Sequence, residues 1–282
     1  MQVFYNIIDI LFYLNSKRKD KKSIGIIPTM GALHGGHISL LWESKKENDL
    51  SIVTIFVNPI QFTNTIDLEL YPKDLQKDSE YLEKSGCDIL FAPSVTDMYR
   101  CEVKTTMTFG RLDSVLEGAS RPGHFSGVGI ILAKLFNIIQ PTKAYFGSKD
   151  LQQVAVVKQL VKDLSFQTTI VSCPIIRESD GLAMSSRNQR ISFENRTEVA
   201  KIFKSLTMAN HFLKSNTVQQ TKNMVNEFFH GNSILKLEYF EIIDSESFLE
   251  IENIAESSNI SLCMAIYCKD VRLIDNITFS PK

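Results

Sequence analysis

The sequence has few cysteines, and they are not arranged to hold a metal ion or a disulfide framework. Its 282 residues include five cysteines, an odd and scattered set with no C-x-x-C pair and no histidine at metal-ligand spacing. Such usage is typical of reduced thiols in a cytosolic protein, so we expect a cytoplasmic location. The five are Cys87, Cys101, Cys173, Cys263 and Cys268.

An excess of one charge and long apolar runs are also lacking. Lysine and arginine number 31 against 32 aspartate and glutamate residues, with no basic arm that would indicate a nucleic-acid or anionic-membrane surface. No apolar run approaches the roughly twenty residues of a membrane-spanning helix. In residues 1–20 an apolar start precedes the basic cluster, the reverse of a signal peptide. We therefore expect a small-molecule partner, with no nucleic acid and no membrane.

The region from residue 23 to residue 176 alternates short β-branched runs with helical periodicity, a pattern that predicts parallel strands connected by helices. This favours the α/β class, with a Rossmann-like, doubly wound parallel sheet. The helix predicted after His34 and His37 should pack on that sheet through Ile38, Leu41 and Trp42. Strands are predicted at 23–27, 51–57, 88–92, 143–146 and 169–173, and further helices at 76–84, 127–139 and 152–164.

After residue 191 the pattern changes to that of a smaller C-terminal α+β domain. Helices are predicted at 195–214 and 218–230, and strands at 237–243, 262–266 and 271–274. The predicted domains are residues 1–176 and residues 177–282. The polar segment 93–121 is interpreted as an insertion that contains a short strand at 105–109.

The segment 30–37 reads Met-Gly-Ala-Leu-His-Gly-Gly-His and follows the first predicted strand. Glycines allow a close backbone approach to a ligand, the first turn of a helix offers unpaired N–H donors, and His34 and His37 share one helix face. These features predict a nucleotide-phosphate site in which the imidazoles stabilise charge on the α-phosphate or on leaving pyrophosphate. The alternative is a tight turn with capping or packing histidines.

A second candidate element for anion binding lies at the predicted domain junction, in segment 181–188. It reads Gly-Leu-Ala-Met-Ser-Ser-Arg-Asn and presents the hydroxyls of Ser185 and Ser186 with the guanidinium of Arg187. Ligand sites are common at such junctions.

Polar residues also end two other predicted strands. Asn58 and Gln61 follow the second strand, where their amides could bind hydroxyl or carboxylate oxygens. The alternative is an Asn-Pro turn with Gln61 exposed. At the strand that ends near residue 146, Lys149 offers a mobile charge for phosphate, Asp150 could cap the next helix, and Gln153 could point into the cleft. A lysine exposed on a solvated loop is the alternative.

Two isolated candidates complete the set. His124 precedes a predicted helix and could reach the cleft, although an isolated histidine is more often structural. Asp78 could hold a Mg²⁺ ion that neutralises a triphosphate. His211 and His230 lie in the predicted C-terminal helices outside any polar motif, and they are interpreted as surface or packing residues.

Five ordered blocks give the chain a resemblance to the pantoate–β-alanine ligase family, within the HIGH-motif nucleotidylyltransferase superfamily. The blocks are residues 28–37, 56–62, 121–125, 146–153 and 177–188. The resemblance implies ATP-dependent ligation in two steps. The carboxylate of pantoate attacks the α-phosphorus and releases pyrophosphate, and β-alanine then displaces AMP from pantoyl adenylate to give pantothenate. It also implies a homodimer and a C-terminal lid.

The resemblance assigns roles by position. His37 is the implied proton donor, and His34 and Lys149 support the phosphates. Gln61 and Gln153 would hold pantoate, and Asn58 and His124 are further candidates for binding pantoate or β-alanine. The implied ATP-binding residues are Met30, Gly31, Ala32, Leu33, His34, Gly35, Gly36, His37, Gly147, Ser148, Lys149, Asp150, Ile176, Met184, Ser185, Ser186 and Arg187.

The chain departs from the family pattern at two positions, because Ser148 stands where Glu is usual and Ser126 stands where Arg is common. Two other functions stay open from the sequence. A nucleotidyltransferase that stops at AMP or CMP transfer would share the histidine pair but leave Gln61 and Gln153 unexplained. A nucleotide-sensing or tRNA-binding module is disfavoured by the near-neutral charge and by the retained histidines and Lys149.

Overall fold

The computed structural model describes residues 1–281, and the chain divides into two units. The first unit contains Met1–Ser148 and Gln152–Pro174, and the second contains Lys149–Leu151 and the chain from Ile175 onward. The second unit thus begins two residues before the predicted start at 177. It also includes a three-residue segment that the sequence predicts for the first domain.

The first unit is built on a six-stranded parallel sheet with the order β1-β4-β3-β2-β5-β6. The predicted α/β class is confirmed. The strands are β1 (Gln2–Phe4), β2 (Ile24–Thr29), β3 (Leu50–Ile55), β4 (Ile89–Phe91), β5 (Lys143–Gly147) and β6 (Thr169–Cys173). The helices are α1 (Ile7–Lys19), α2 (Gly35–Glu47), α3 (Thr65–Glu69), α4 (Leu75–Lys84), α5 (Val95–Met98), α6 (Leu116–Ser120), α7 (His124–Ile139) and α8 (Leu151–Asp163).

Central strands of this sheet are apolar on both faces, because helices cover both sides. Ile26 and Ile27 in β2 and Ile52 and Val53 in β3 are all buried, and they fall into two separate core clusters. The chain moves from β2 to β3 in one direction and from β5 to β6 in the other. The order therefore reverses between β2 and β5, and ligands of such sheets bind beyond the carboxyl ends of the strands at that point.

The second unit has the predicted α+β character. Its helices are α9 (Arg196–Phe212) and α10 (Val218–Phe229), and its antiparallel strands are β7 (Leu235–Asp244), β8 (Ile260–Cys268) and β9 (Val271–Phe279) in the order β7-β8-β9. Its core includes Val199, Leu206, Val225 and Leu262. Within the described residues, every helix is too short or too polar to span a lipid bilayer.

Two predictions of local structure were wrong. Trp42 is 56% exposed, because the buried face of α2 includes Ile38, Leu41 and also Ser44, whose hydroxyl lies 2.7 Å from that of Ser51. This rotates the core-facing side away from Trp42.

Segment 105–109 forms no strand in the described chain. The N–H of Met107 donates to Ser126 Oγ (3.0 Å) and that of Phe109 to Asp113 Oδ2 (2.5 Å), so two of its backbone donors bond side chains rather than a neighbouring strand.

Candidate active site

The turn after β2 takes a backbone conformation that its glycine permits. Gly31 and Ala32 have positive φ values of 83° and 50°, of which the second is unusual for a residue with a side chain. Thr29 Oγ1 donates to Thr54 O (2.7 Å) and accepts from Gly31 N (3.2 Å), which ties the turn to β3. A Cβ at Gly31 would lie 3.0 Å from Asp78 Oδ2, so the position has little room for a side chain.

Asp78 in α4 stabilises this turn through both of its carboxylate oxygens. The backbone N–H of Ala32 donates to Oδ2 and that of Leu33 donates to Oδ1, each at 2.8 Å. Burial raises the pKa of Asp78, and the two backbone hydrogen bonds oppose that rise. This geometry gives Asp78 a structural role. Within residues 1–281, no group of three or more His, Cys, Asp or Glu side chains is placed to hold a metal ion.

The two histidines form a capping box at the start of α2. Gly36 N donates to His34 Nδ1 (3.1 Å), and His34 N donates to His37 Nδ1 (3.3 Å). Their ring centroids lie 4.0 Å apart. Because each Nδ1 accepts a backbone N–H, the neutral form of each ring carries its proton on Nε2. Capping therefore fixes the tautomer of both neutral imidazoles, with the ring proton on Nε2.

The segment after β3 lies against this turn. Gln61 ends a short 3₁₀ helix and is only 8% exposed, so the alternative of an exposed Gln61 is wrong. Its Nε2 lies 2.9 Å from Met30 Sδ, and its Oε1 accepts from Asn58 Nδ2 (3.0 Å). The structure thus brings the predicted pantoate residue Gln61 into contact with the predicted ATP residue Met30.

Asn58 and His124 act on the position of Gln61. Asn58 is buried, accepts from the hydroxyl of Tyr99 (2.7 Å) and donates to Gly127 O (3.1 Å) as well as to Gln61. His124 Nδ1 lies 2.8 Å from Gln61 O, and since a carbonyl only accepts, this nitrogen carries the proton. A Cβ at Gly127 would lie 2.6 Å from Gln61 Cα, so glycine is required for this close approach of α7.

Adjacent glutamines on α8 have different environments. Gln153 is half-buried, and its side chain forms no hydrogen bond within the described part of the chain. Gln152, which no sequence pattern singles out, is buried. It accepts from Glu117 N (2.9 Å) and donates to Leu112 O and Val115 O (2.8 and 2.9 Å), which fixes the preceding loop. No spacing signal distinguishes the two glutamines in the sequence.

The two departures from the family pattern have local bonding roles in the first unit. Ser148 Oγ donates to Cys173 O (2.8 Å) and lies 2.9 Å from Ser172 Oγ. Ser126 Oγ accepts from Met107 N. Small hydroxyls at these positions therefore join neighbouring segments. Gly147, at the end of β5, has open space where a side chain would lie.

The remaining candidates belong to the second unit. Lys149 Nζ lies 3.5 Å from Asp150 Oδ1, a loose ion pair next to the start of α8. Met184 N donates to Ile176 O (2.9 Å), which closes a hairpin ahead of the Ser-Ser-Arg sequence. Ser185 Oγ accepts from Arg187 N (3.3 Å) and caps a short 3₁₀ helix (Ser186–Arg190). The predicted hydroxyls and guanidinium thus lie in or beside one capped 3₁₀ turn, in which Ser186 is buried.

Comparisons with known proteins agree with this architecture. A family model described as pantoate-beta-alanine ligase matches residues 2–278. The pantothenate synthetase of Cytophaga hutchinsonii is 44% identical, over 96% of this chain and 97% of its own length, and that of Bacteroides thetaiotaomicron is 43% identical over 99% of each.

Solved structures give the same result. The pantothenate synthetase of Thermus thermophilus superimposes with a TM-score of 0.92 and 34% identity, and covers 98% of this chain and 99% of its own. A pantoate-beta-alanine ligase from Francisella tularensis, in complex with beta-gamma ATP and beta-alanine, superimposes with a TM-score of 0.83 and 38% identity. The match covers 98% of this chain and 97% of that structure's chain. Matches of this identity and coverage establish that the chain belongs to the pantoate–β-alanine ligase family.

Proposed function

We propose that this chain catalyses the ATP-dependent condensation of (R)-pantoate with β-alanine, which gives pantothenate, AMP and pyrophosphate through a pantoyl adenylate. The contact between Gln61 and Met30 carries this proposal, because it joins the residue proposed for pantoate to the turn proposed for ATP. An acid held by Gln61 would then lie next to a triphosphate held by residues 30–37. Such alignment of two anions is the main difficulty of the first step.

In the first step, a carboxylate oxygen of pantoate attacks the α-phosphorus and the bond to the β-phosphate oxygen breaks. Negative charge shifts to the bridging oxygen of pyrophosphate as that bond lengthens. The capping box holds both rings with the proton of the neutral form on Nε2, and these are the groups proposed to stabilise the charge. His37 is the proposed proton donor.

In the second step, the amine of β-alanine attacks the acyl carbon of the adenylate. The bond from that carbon to the AMP oxygen breaks, and the nitrogen loses a proton as the amide forms. The reaction needs no covalent enzyme intermediate. Because an acyl adenylate is readily hydrolysed, closure of the second unit as a lid would protect it from water.

The hydrogen bonds of the other first-unit candidates support more specific proposals for their roles. Gln153 has a carboxamide available for pantoate, as proposed. We propose that Asn58 and His124 also position Gln61, because Asn58 Nδ2 donates to its Oε1 and His124 Nδ1 donates to its backbone carbonyl. The remaining proposed contacts with ATP come from Gly147, Ser148, Lys149, Asp150, Ile176, Met184, Ser185, Ser186 and Arg187.

The sequence also predicts Mg²⁺, with Asp78 as a candidate ligand. The described residues do not provide a cluster of protein ligands for it, and the oxygens of Asp78 bind the turn. We therefore assign no catalytic step to a metal held by the protein. A homodimer and a cytoplasmic location stay predictions from the resemblance and the sequence.

The test is exchange of labelled pyrophosphate into ATP. We expect exchange that requires pantoate and proceeds without β-alanine. The label enters ATP when the first step runs forward and then backward, and β-alanine takes part only in the second step. Exchange driven equally by unrelated carboxylic acids would contradict the proposal and favour the generic nucleotidyltransferase. ATP binding without any exchange would favour the sensing module.

A further inference from the structure

Lys149 is anchored through its backbone to the last strand of the second unit. Asn276 in β9 donates from Nδ2 to Lys149 O at 3.0 Å, across 127 positions of sequence. Asn276 is only 4% exposed, so this bond is made away from bulk water. Lys149 accordingly groups with the second unit, whereas Ser148 and Gln152 on either side of the segment group with the first.

Asp275, the residue before Asn276, holds Arg177 of the same unit. The Asp275 carboxylate accepts two hydrogen bonds from Arg177, at 2.6 and 3.0 Å, and is 3% exposed. Arg177 also donates to Asn276 O (3.2 Å) and Gly181 O (3.1 Å), and its guanidinium stacks 3.8 Å from the Phe203 ring centroid. A desolvated ion pair persists only when its hydrogen bonds are satisfied, as they are here.

Arg177 lies in the hairpin that leads to the Ser-Ser-Arg loop. It forms an antiparallel bridge with Ala183, and the next residue, Met184, donates to Ile176 O. The dipeptide Asp275–Asn276 therefore holds two elements proposed for ATP binding. One is the segment that carries the ammonium of Lys149, and the other is the loop that carries Ser185, Ser186 and Arg187.

We propose that Asn276 is a positioning residue for nucleotide binding, which together with Asp275 and Arg177 joins Lys149 and the Ser-Ser-Arg loop into one rigid body. In this arrangement the ammonium, the hydroxyls and the guanidinium keep fixed spacings when the second unit moves, so ATP meets a preorganised set of donors. Preorganisation of this kind lowers the entropy that binding would otherwise lose. The inference rests on the proposed function for the identity of the nucleotide.

A double-mutant cycle tests the inference. Asn276→Ala and Lys149→Ala are made singly and together, and the Kd for ATP is measured by calorimetry. We expect Asn276→Ala alone to weaken ATP binding by roughly three- to tenfold, the size of one buried hydrogen bond. In the Lys149→Ala background the same change should weaken it by less than about twofold, because Asn276 acts through Lys149. In steady-state kinetics the KM for ATP should rise while that for pantoate stays within about twofold.

Ser261→Ala is the matched control. Ser261 is buried in β8, and its hydroxyl lies 2.8 Å from Ser245 Oγ and 2.7 Å from Thr278 Oγ1. The variant therefore loses a buried polar bond in the same sheet without touching Lys149 or Arg177, and its Kd for ATP should equal that of the wild type. If Asn276→Ala does not fold, Asn276→Asp, which has the same shape but no amide donor, replaces it in the cycle.

Additive effects of Asn276 and Lys149, an equal rise in both KM values, or the same loss in Ser261→Ala would overturn the inference in favour of a purely structural role. Failure of the proposed function can be distinguished from failure of this inference. In that case the wild type would bind ATP but show no pantoate-dependent exchange, and the binding cycle would still decide the role of Asn276.

Discussion

In the first unit, the histidine pair is held by hydrogen bonds between residues two and three positions apart, and Gln61 is bonded by Asn58 three positions before it. In the second unit, Arg177 is held by a partner 98 positions away and Lys149 by one 127 positions away. The comparison separates two ways of building a site. Local caps fix the orientation of individual side chains, whereas long-range bonds hold side chains from separate segments at fixed distances from one another.

The two units also differ in the chemistry of those bonds. Backbone amides, carboxamides and imidazoles predominate around His34, His37 and Gln61 in the first unit. The second unit uses ion pairs, which include Arg177 with Asp275 and Arg196 with Glu178 and Asp180. A change in the first unit should therefore affect the reacting groups directly, and a change in the second should affect how they are assembled.

The largest expected effect comes from breaking the local cap. We expect His37→Ala to lower turnover by about 10²- to 10⁴-fold, because it removes the Nε2–H donor that is proposed to stabilise the developing charge. The folded state should lose only about 1 kcal/mol, since the change removes one capping interaction. Turnover by initial rates and stability by denaturant unfolding measure the two effects.

His211→Ala is the control for that variant. His211 lies exposed near the end of α9 in the second unit, so its removal should leave the rate unchanged. If His37→Ala instead failed to fold, the histidines would be packing residues, and the alternative of a tight structural turn would be supported.

The same contrast explains how much the sequence could predict. The strands β2, β3, β5 and β6 and the histidine turn are encoded by periodicity and by residues within a few positions of one another. All of these were located to within about two residues. The contact of Gln61 with the turn also follows, because parallel strands bring their carboxyl ends to one edge of the sheet.

The failures have a common cause in long-range contacts. Trp42 fits the apolar stripe of α2, but the partner of Ser44 is on β3, and this hydroxyl pair rotates the buried face. Asp78 looks like an isolated carboxylate until the fold brings it to the backbone of Ala32 and Leu33. Asn276 shows no local pattern, since its partner is 127 positions away. Periodicity and spacing carry no information about such pairs.

Asp78 provides long-range support to the histidine turn, so its removal tests whether the first unit depends only on local bonds. We expect Asp78→Asn to reduce the free energy of unfolding by about 1–3 kcal/mol, because an amide NH₂ would face a backbone N–H in a buried place. Chemical denaturation measures this. Asp74→Asn is the control, because Asp74 caps α4 and asparagine caps a helix equally well.

Activity of the same variant separates the structural role of Asp78 from the metal role that the sequence indicates. With a structural role, the Mg²⁺ concentration for half-maximal activity should match that of the wild type. A clear shift to higher Mg²⁺ would show that the carboxylate binds the metal and would contradict the role assigned from its hydrogen bonds.

The smallest expected effect concerns a local carboxylate in the second unit. Asp244 accepts hydrogen bonds from Ser257 Oγ (2.6 Å), and from the backbone N–H and the hydroxyl of Ser247 (both 2.7 Å). These bonds lower its pKa from 3.8 to about 2. A lowered folded-state pKa stabilises the fold above pH 4, and this contribution is lost as the pH falls from about 4 to 2.

For Asp78, whose pKa is raised by burial, the pH dependence has the opposite sign. The contribution of Asp78 to the free energy of unfolding falls as the pH rises above 3.8.

We therefore expect Asp244→Asn to destabilise the second unit by about 1 kcal/mol at neutral pH and by progressively less toward pH 2. Hydrogen exchange of peptides from β7, corrected for the intrinsic pH dependence of exchange, measures this in the unit concerned. Asp270→Asn is the matched control, because Asp270 forms an exposed ion pair with Arg190, and such pairs contribute little. An equal effect of Asp244→Asn at pH 7 and at pH 2 would mean that the stabilisation by the serine hydrogen bonds does not depend on the negative charge of Asp244. The carboxylate bonds of the second unit would then resemble the uncharged bonds around Gln61 more closely than the geometry indicates.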